Sequence, residues 1–216
     1  MDIAIVAFDN MAALDAIGPF EVLTQLPDCT VHWVGLEPGV VRSEEPSSVG
    51  IQVDKRLEDV PRPDVIVVPG GHGEQRLRTN ERFMTWLRGA HETSTWTTSV
   101  CTGSLLLGAA GILDGKRATS HWLALDVLKE FGAEPTLERV VKEGKVITAA
   151  GVSSGIDMAL TLAAELQGQF VAETIQLGIE YDPQPPFDAG SPTKAPKESV
   201  EFLRASSRFL LTGERN

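Results

Sequence analysis

The chain has 216 residues, 42% hydrophobic and 23% charged, enough to bury a sizeable core in one large domain or two small ones. Its 19 basic and 30 acidic residues give a net charge of −11, which argues against nucleic acid or an anionic membrane surface as a partner, since both need a basic face. No run is long enough to span a bilayer, no basic segment precedes an apolar one at the start, and no Cys/His spacing suggests zinc. A cytoplasmic protein with Cys29 and Cys101 as free thiols is expected.

Residues 3–8 are apolar with β-branched members and predict a buried first strand. Residues 11–26 have a helical pattern that Gly18-Pro19 interrupts. Proline does not sit comfortably inside a helix, so a break is expected there, with a helix over 20–26. Asp15 falls just ahead of that break, after the first strand. In an open α/β sheet this is the carboxyl edge, where ligands bind; a helix cap is the plainer role. Residues 31–36 predict a second strand with His32 and Trp33 on opposite faces. Residues 40–53 suggest two short strands around a Glu-Glu-Pro-Ser-Ser turn. Residues 65–69 form an apolar strand ending in Gly70-Gly71-His72-Gly73. These glycines lack the Lys-Ser/Thr of a phosphate loop. They let backbone approach a ligand, and their amides could donate to developing negative charge; a tight turn is the alternative.

Residues 80–92 predict an amphipathic helix with Phe83, Leu87 and Ala90 on one side. Residues 96–101 then read as a strand that runs straight into an apolar helix to 110, with Gly111 as its C-cap. Cys101 sits at the join, flanked two residues away by Ser99 and Gly103. Small-x-nucleophile-x-small is the pattern of a nucleophile elbow, here with cysteine. At a helix N-terminus the dipole and free amides are expected to lower the thiol pKa; a buried structural cysteine is the alternative. Residues 113–116 predict a turn and 117–120 a short strand. His121-Trp122 then leads into a helix to Phe131, closed by Gly132. His121 at that junction suits proton transfer near neutral pH, or simply a structural hydrogen bond. Residues 139–143 and 145–150 predict a hairpin around Glu143-Gly144, and 151–155 a small-residue turn. Helices are expected over 156–166, 170–179 and 199–211, with 182–196 a proline-rich surface arm. Cys29, His32 and His91 read as structural or surface residues. Alternating strands and helices imply one domain over 1–216. Its expected fold is α/β: a doubly wound, mostly parallel sheet sandwiched by helices, in flavodoxin-like order.

The series Pro69-Gly70-Gly71, Val100-Cys101-Thr102-Gly103-Ser104, Ala118-Thr119-Ser120-His121-Trp122 and Gly155-Ile156-Asp157-Met158-Ala159-Leu160 resembles the ThiJ/PfpI superfamily. Two further stretches resemble its isonitrile hydratase branch: Leu14-Asp15-Ala16-Ile17-Gly18-Pro19, and the run from Glu180-Tyr181-Asp182 through Pro185-Pro186-Phe187 to Ala189-Gly190-Ser191-Pro192. The resemblance covers nearly the whole chain. It implies a class I glutamine-amidotransferase-like sandwich, a homodimer in contact through 170–179 and the arm, a small-molecule isonitrile substrate, and no cofactor or metal. The sensor domains of certain AraC-type regulators share the elbow and the Thr-Ser-His-Trp run. They add a DNA-binding domain, for which this acidic chain ends too soon. The loop after Gly71 departs from the pattern, with polar His72, Glu74 and Gln75 where smaller, less polar residues are expected.

The activity so implied is hydration of an isonitrile to an N-substituted formamide. Cys101 would attack the isonitrile carbon and form a covalent thioimidate. Asp15, its pKa raised by burial, would be the general acid and later activate water. Backbone amides of Gly71 and Thr102 would stabilise charge, with Gly70 and His72 alongside. The Thr102 hydroxyl would orient Asp15 or the water, and His121 would support from behind. Two other readings stay open: a glyoxalase-like or hydrolase activity with His121 at the thiol, and a non-enzymatic redox sensor with an oxidisable Cys101.

Overall fold

The computed structural model describes residues 1–45 and 48–209. β1 (Asp2–Val6) buries Ile3, Ala4, Ile5 and Val6; a strand covered on both faces has to be apolar throughout. α1 (Ala13–Leu23) runs unbroken through Pro19, so the break expected at Gly18-Pro19 does not form. Pro19 forfeits one backbone hydrogen bond, and packing outweighs that loss. Its ring lies against Gly155, and Ile156 approaches Gly18 so closely that a Cβ there would sit 3.1 Å from Ile156 Cγ1. Asp15 is therefore in the first turn of α1. β2 (Thr30–Gly35) follows, then the antiparallel pair β3 (Gly39–Arg42) and β4 (Gly50–Val53). That hairpin matches the expectation for 40–53, although residues 46–47 of its turn lie outside the described residues. β5 (Lys55–Arg56) is a short edge strand.

β6 (Val65–Val68) leads to the short α2 (Glu74–Leu77) and to α3 (Glu81–Thr93). Asn80 caps α3 by accepting the Phe83 amide at 2.9 Å. β7 (Trp96–Val100) and α4 (Gly103–Ala109) enclose Cys101 as expected, and Gly111, at φ 80°, follows the helix end. β8 (Arg117–Ala118) pairs with β9 (Glu134–Pro135), and only 117–118 are strand. Beyond them the chain is drawn toward the elbow, where the Thr119 amide donates to Thr148 Oγ1 at 2.9 Å. The helix expected over 121–131 is instead a 3₁₀ segment, Leu125–Phe131. A three-residue repeat stacks Leu125, Leu128 and Phe131 on one side, all three against the core. The Phe131 ring sits where a Cβ on Gly108 would be 2.7 Å away.

β10 (Val140–Glu143) and β11 (Val146–Ala149) form the expected hairpin, turning at Gly144 with φ 60°. α5 (Ser154–Gln167), α6 (Gln169–Gly178) and α7 (Lys197–Ala205) complete the chain. The arm over 182–196 forms no helix or strand. α7 stops at Ala205 rather than running to 211. The chain turns at Ser206-Ser207 and carries Arg208 back to residues 71–72; residues 210–211 lie outside the described part.

The main sheet has the order β10-β11-β7-β6-β1-β2-β5. β10 joins it antiparallel and the other pairings are parallel. Without the edge strands β5 and β10, the five parallel strands run 2-1-3-4-5 in chain order, the flavodoxin-like arrangement. α1 and α5 pack together, with α6 against α5; right-handed crossovers place α3 and α4 on the opposite face. Ile3, Ile5, Ile66, Leu105, Leu106 and Leu107 are fully buried in one contiguous core, each contributing about 1.5–3 kcal/mol relative to exposure. The strand order reverses between β1 and β6, so a crevice opens beyond their carboxyl ends. The segments after β1, β6 and β7, carrying Asp15, Gly70-Gly71 and Cys101, converge there. Elsewhere, His32 Nε2 lies 2.7 Å from Asp2 Oδ1 and His91 Nδ1 2.8 Å from Thr97 Oγ1. Cys29 is half-buried beside Pro27, so all three have structural surroundings, as expected.

Candidate active site

Cys101 adopts φ 57°, a left-handed conformation that costs a non-glycine residue on the order of 1–3 kcal/mol unless its surroundings enforce it. Three elements do so. The Cys101 amide donates to the Ala149 carbonyl at 3.0 Å. The Cys101 carbonyl accepts the hydroxyls of Ser104 at 3.0 Å and Ser120 at 3.1 Å. The tight turn needs a bare neighbour, since a Cβ on Gly103 would lie 2.1 Å from the Val68 carbonyl oxygen. This is the elbow expected from the sequence, with Cys101 6% exposed.

Asp15 is fully buried beneath it. Its Oδ2 accepts the Gly70 amide at 2.9 Å, while Oδ1 makes no well-formed hydrogen bond; the Cys101 thiol is its polar neighbour. Burial pushes the carboxyl up to about 7, against the pull of the Gly70 amide, in the direction expected from the sequence. Burial also raises the Cys101 thiol well above its ordinary range. The Asp15 charge adds to that rise, and the Thr102 amide on the sulfur opposes it. The expectation of a thiol made acidic by a helix N-terminus is thus overturned. α4 has only seven residues, and its dipole does not offset desolvation beside a carboxylate.

The Gly71 amide donates to Thr102 Oγ1 at 2.9 Å. It is committed to that hydroxyl rather than free for a developing charge, and Thr102 keeps its own O–H to donate. Gly71 has φ 118°, and a Cβ there would lie 2.4 Å from the Ala12 amide nitrogen. At Gly70 a Cβ would meet the Thr102 amide at 2.5 Å. The two glycines therefore let three backbone segments close around the thiol.

His121 lies in the loop after β8, not at a strand–helix junction. Its Nδ1 accepts the Leu123 amide at 3.3 Å, and its ring packs against Gly151. Burial, followed by the Arg208 charge, lowers its pKa and favours the neutral ring. Among the described residues it makes no hydrogen bond to Cys101. His72 is exposed at the rim, where its amide and Nδ1 lie 2.6 and 2.5 Å from Glu44 Oε1.

These groups border a cavity of about 230 Å³. Cys101, Thr102 and Gly71 form its floor, Leu123 and Val152 line its sides, Glu44 and His72 border its mouth, and Leu203, Arg208 and Phe209 cover it. The sequence reading missed that cover and Glu44. Nothing local marks them, because they come from the far end of the chain and from a hairpin turn. Among the described residues, no group of three or more His, Cys, Asp or Glu is placed to hold a metal.

Residues 1–165 match the model of the DJ-1/PfpI family. An isonitrile hydratase of Pseudomonas putida is 45% identical over 208 residues, spanning 94% of this chain and 89% of that protein. The HTH-type transcriptional regulator CdhR of Pseudomonas aeruginosa is 29% identical over 96% of this chain, which spans 59% of the regulator. Among solved structures, a ThiJ/PfpI family protein of Pseudomonas syringae superposes with a TM-score of 0.91 at 35% identity, covering 94% of this chain and 84% of that one. Oxidised DJ-1 of Toxoplasma gondii shares the fold, with a TM-score of 0.74 at 21% identity over 84% of this chain and 99% of its own.

Proposed function

The chain belongs to the DJ-1/PfpI family, and on that premise we propose that it is an enzyme that hydrates isonitriles, R–N≡C, to N-substituted formamides, R–NH–CHO. One observation carries the reading. A buried carboxyl poised at about 7 lies against a buried elbow thiol, and no imidazole is bonded to that thiol among the described residues. Such a pair suits a substrate that must gain a proton at carbon as sulfur attacks it. The Pseudomonas putida relative named as an isonitrile hydratase supports the same chemistry.

The reactive form is the pair holding one proton. As the isonitrile enters, Cys101 passes its proton to Asp15 and sulfur attacks the terminal carbon. A sulfur–carbon bond forms, one C≡N π pair settles on nitrogen, and the carbon lone pair takes the proton from Asp15. The product is a thioimidate, S–CH=N–R. Asp15, ionised again, draws a proton from water as the hydroxyl adds to that carbon, and nitrogen collects the proton. The tetrahedral carbon then expels the sulfur, the hydroxyl proton returns to it through Asp15, and the formamide leaves. No electrons are gained or lost overall. The Thr102 amide steadies the sulfur whenever it carries charge, and the Thr102 hydroxyl orients the carboxylate or the water.

In this reading the chain works as a single domain, in the cytoplasm, as a homodimer. The two unpaired cysteines support that compartment. The exposed Phe170 and Leu177 on α6 and Phe187 on the arm support the pairing, which light scattering on the purified chain would test. The reaction is tested by following formamide from alkyl and aryl isonitriles with the native chain, Cys101→Ala and Asp15→Asn. Turnover by the native chain that is lost in both variants is expected. Turnover surviving in Asp15→Asn would remove the carboxyl from the mechanism, and none in the native chain would overturn the assignment.

A further inference from the structure

The polar loop after Gly71 has a counterpart at the other end of the chain. Glu74 is fully buried in α2. Its Oε2 lies 2.8 Å from Arg78 Nε, and its Oε1 lies 3.5 Å from Arg208 Nη2. A carboxylate taken wholly out of water needs such partners. The Arg208 side chain is 20% exposed. It donates from Nη2 to the Gly71 carbonyl at 3.1 Å and from Nη1 to the His72 carbonyl at 3.2 Å. Its guanidinium also lies over the Phe209 ring, 4.5 Å from the centroid. One planar fork thus joins the C-terminal cover of the cavity to the loop that forms its floor.

That loop holds the reacting groups. The Gly70 amide bonds Asp15 and the Gly71 amide bonds Thr102 Oγ1. We propose that Arg208, seated on buried Glu74, is a positioning residue that latches residues 203–209 over the Cys101 cavity and keeps the 70–72 loop in register with Asp15 and Thr102. The latch rests on the hydratase reading for its catalytic meaning, because proton exchange between Asp15 and Cys101 needs a cavity closed to bulk water. As a piece of geometry it can be tested without that reading. Glu74 then has a defined purpose: its carboxylate meets the guanidinium that also donates to the backbone carbonyls of residues 71 and 72.

The test compares the native chain with Arg208→Gln, Arg208→Lys and Glu74→Gln. Two readouts are used: the rate at which iodoacetamide alkylates Cys101, and the pH profile of kcat/KM for an isonitrile. In Arg208→Gln, alkylation should quicken about tenfold or more as the cover opens. The catalytic limb near pH 7 should move away from its native position, downward where entering water relieves the burial that raises the Asp15 carboxyl and upward where a loosened loop weakens the Gly70 bond that holds it down. Arg208→Lys should rescue neither, since an ammonium cannot span both carbonyls. Glu74→Gln, which leaves the arginine in place, should shift both readouts in the same direction by less, and it decides the matter if Arg208→Gln does not fold. Alkylation and pH profile both within twofold of native in folded Arg208→Gln or Glu74→Gln would overturn the latch. If the native chain turns over no isonitrile, the hydratase reading fails while the alkylation rates still decide on the latch.

Discussion

Asp15→Asn should abolish turnover and also stabilise the protein, by an amount that depends on pH in a calculable way. The carboxyl moves from an ordinary 3.8 in the unfolded chain to about 7 in the folded one, chiefly through burial. The folded state therefore keeps a proton that the unfolded state releases. Stability from this group is fully present below about pH 4, falls as the pH rises, and is lost above about 7. At about 1.4 kcal/mol per pH unit the total is about 4 kcal/mol. Asparagine keeps an acceptor for the Gly70 amide and stays neutral, and its NH₂ group can face the sulfur where Oδ1 now has no well-formed bond. Urea unfolding of both proteins from pH 5 to 9 measures the difference. The variant's advantage should grow across the acid half of that range and level off above about pH 7.5. With m of about 2–3 kcal/mol/M, the final midpoint shift is about 1–2 M. Curves that stay parallel at every pH, with no widening gap, would refute the argument that burial holds this carboxyl near neutrality.

The pH profile of kcat/KM should rise through about pH 7, where Asp15 ionises, and fall only well above pH 9, where the buried thiol is lost; stopped assays across pH 5–10 on an isonitrile check both limbs. Gly71→Ala should lower the melting temperature and remove turnover, because the residue sits at φ 118° and its Cβ would lie 2.4 Å from the Ala12 nitrogen. Thermal melts beside activity assays would show this, and a native-like variant would contradict it. Ser120→Ala removes one of two hydroxyls on the Cys101 carbonyl and should cost about 1 kcal/mol of stability, read as a small loss in urea midpoint with the fold retained.

The parts legible in the sequence were those where local pattern and tertiary demand agree. Apolar β-branched runs marked β1, β6 and β7, and the Ser99-x-Cys101-x-Gly103 spacing marked the elbow, because a turn that tight admits only small neighbours. Prediction failed where distant packing decided. Pro19 reads as a breaker, yet Gly155 and Ile156 on α5 hold α1 straight through it. Residues 121–131 read as an α-helix, but stacking Leu125, Leu128 and Phe131 against the core wants a period of three. The acidity of Cys101 was misjudged because helix position is visible in a sequence and desolvation beside Asp15 is not. Arg208 and Phe209 fell inside an anticipated helix, and only the turn at Ser206-Ser207 brings them over the thiol.

The elbow also sets an order of events in time. Its backbone conformation depends on the carbonyl of Ala149 and the hydroxyl of Ser120, which the ribosome delivers well after Cys101 itself. Until β11 has docked beside β7, only the local Ser104 hydroxyl holds residue 101 in its left-handed state, and the Ala149 and Ser120 bonds are still missing. The elbow turn is therefore completed in the same step as closure of the sheet, when Ala149 and Ser120 come to lie beside Cys101.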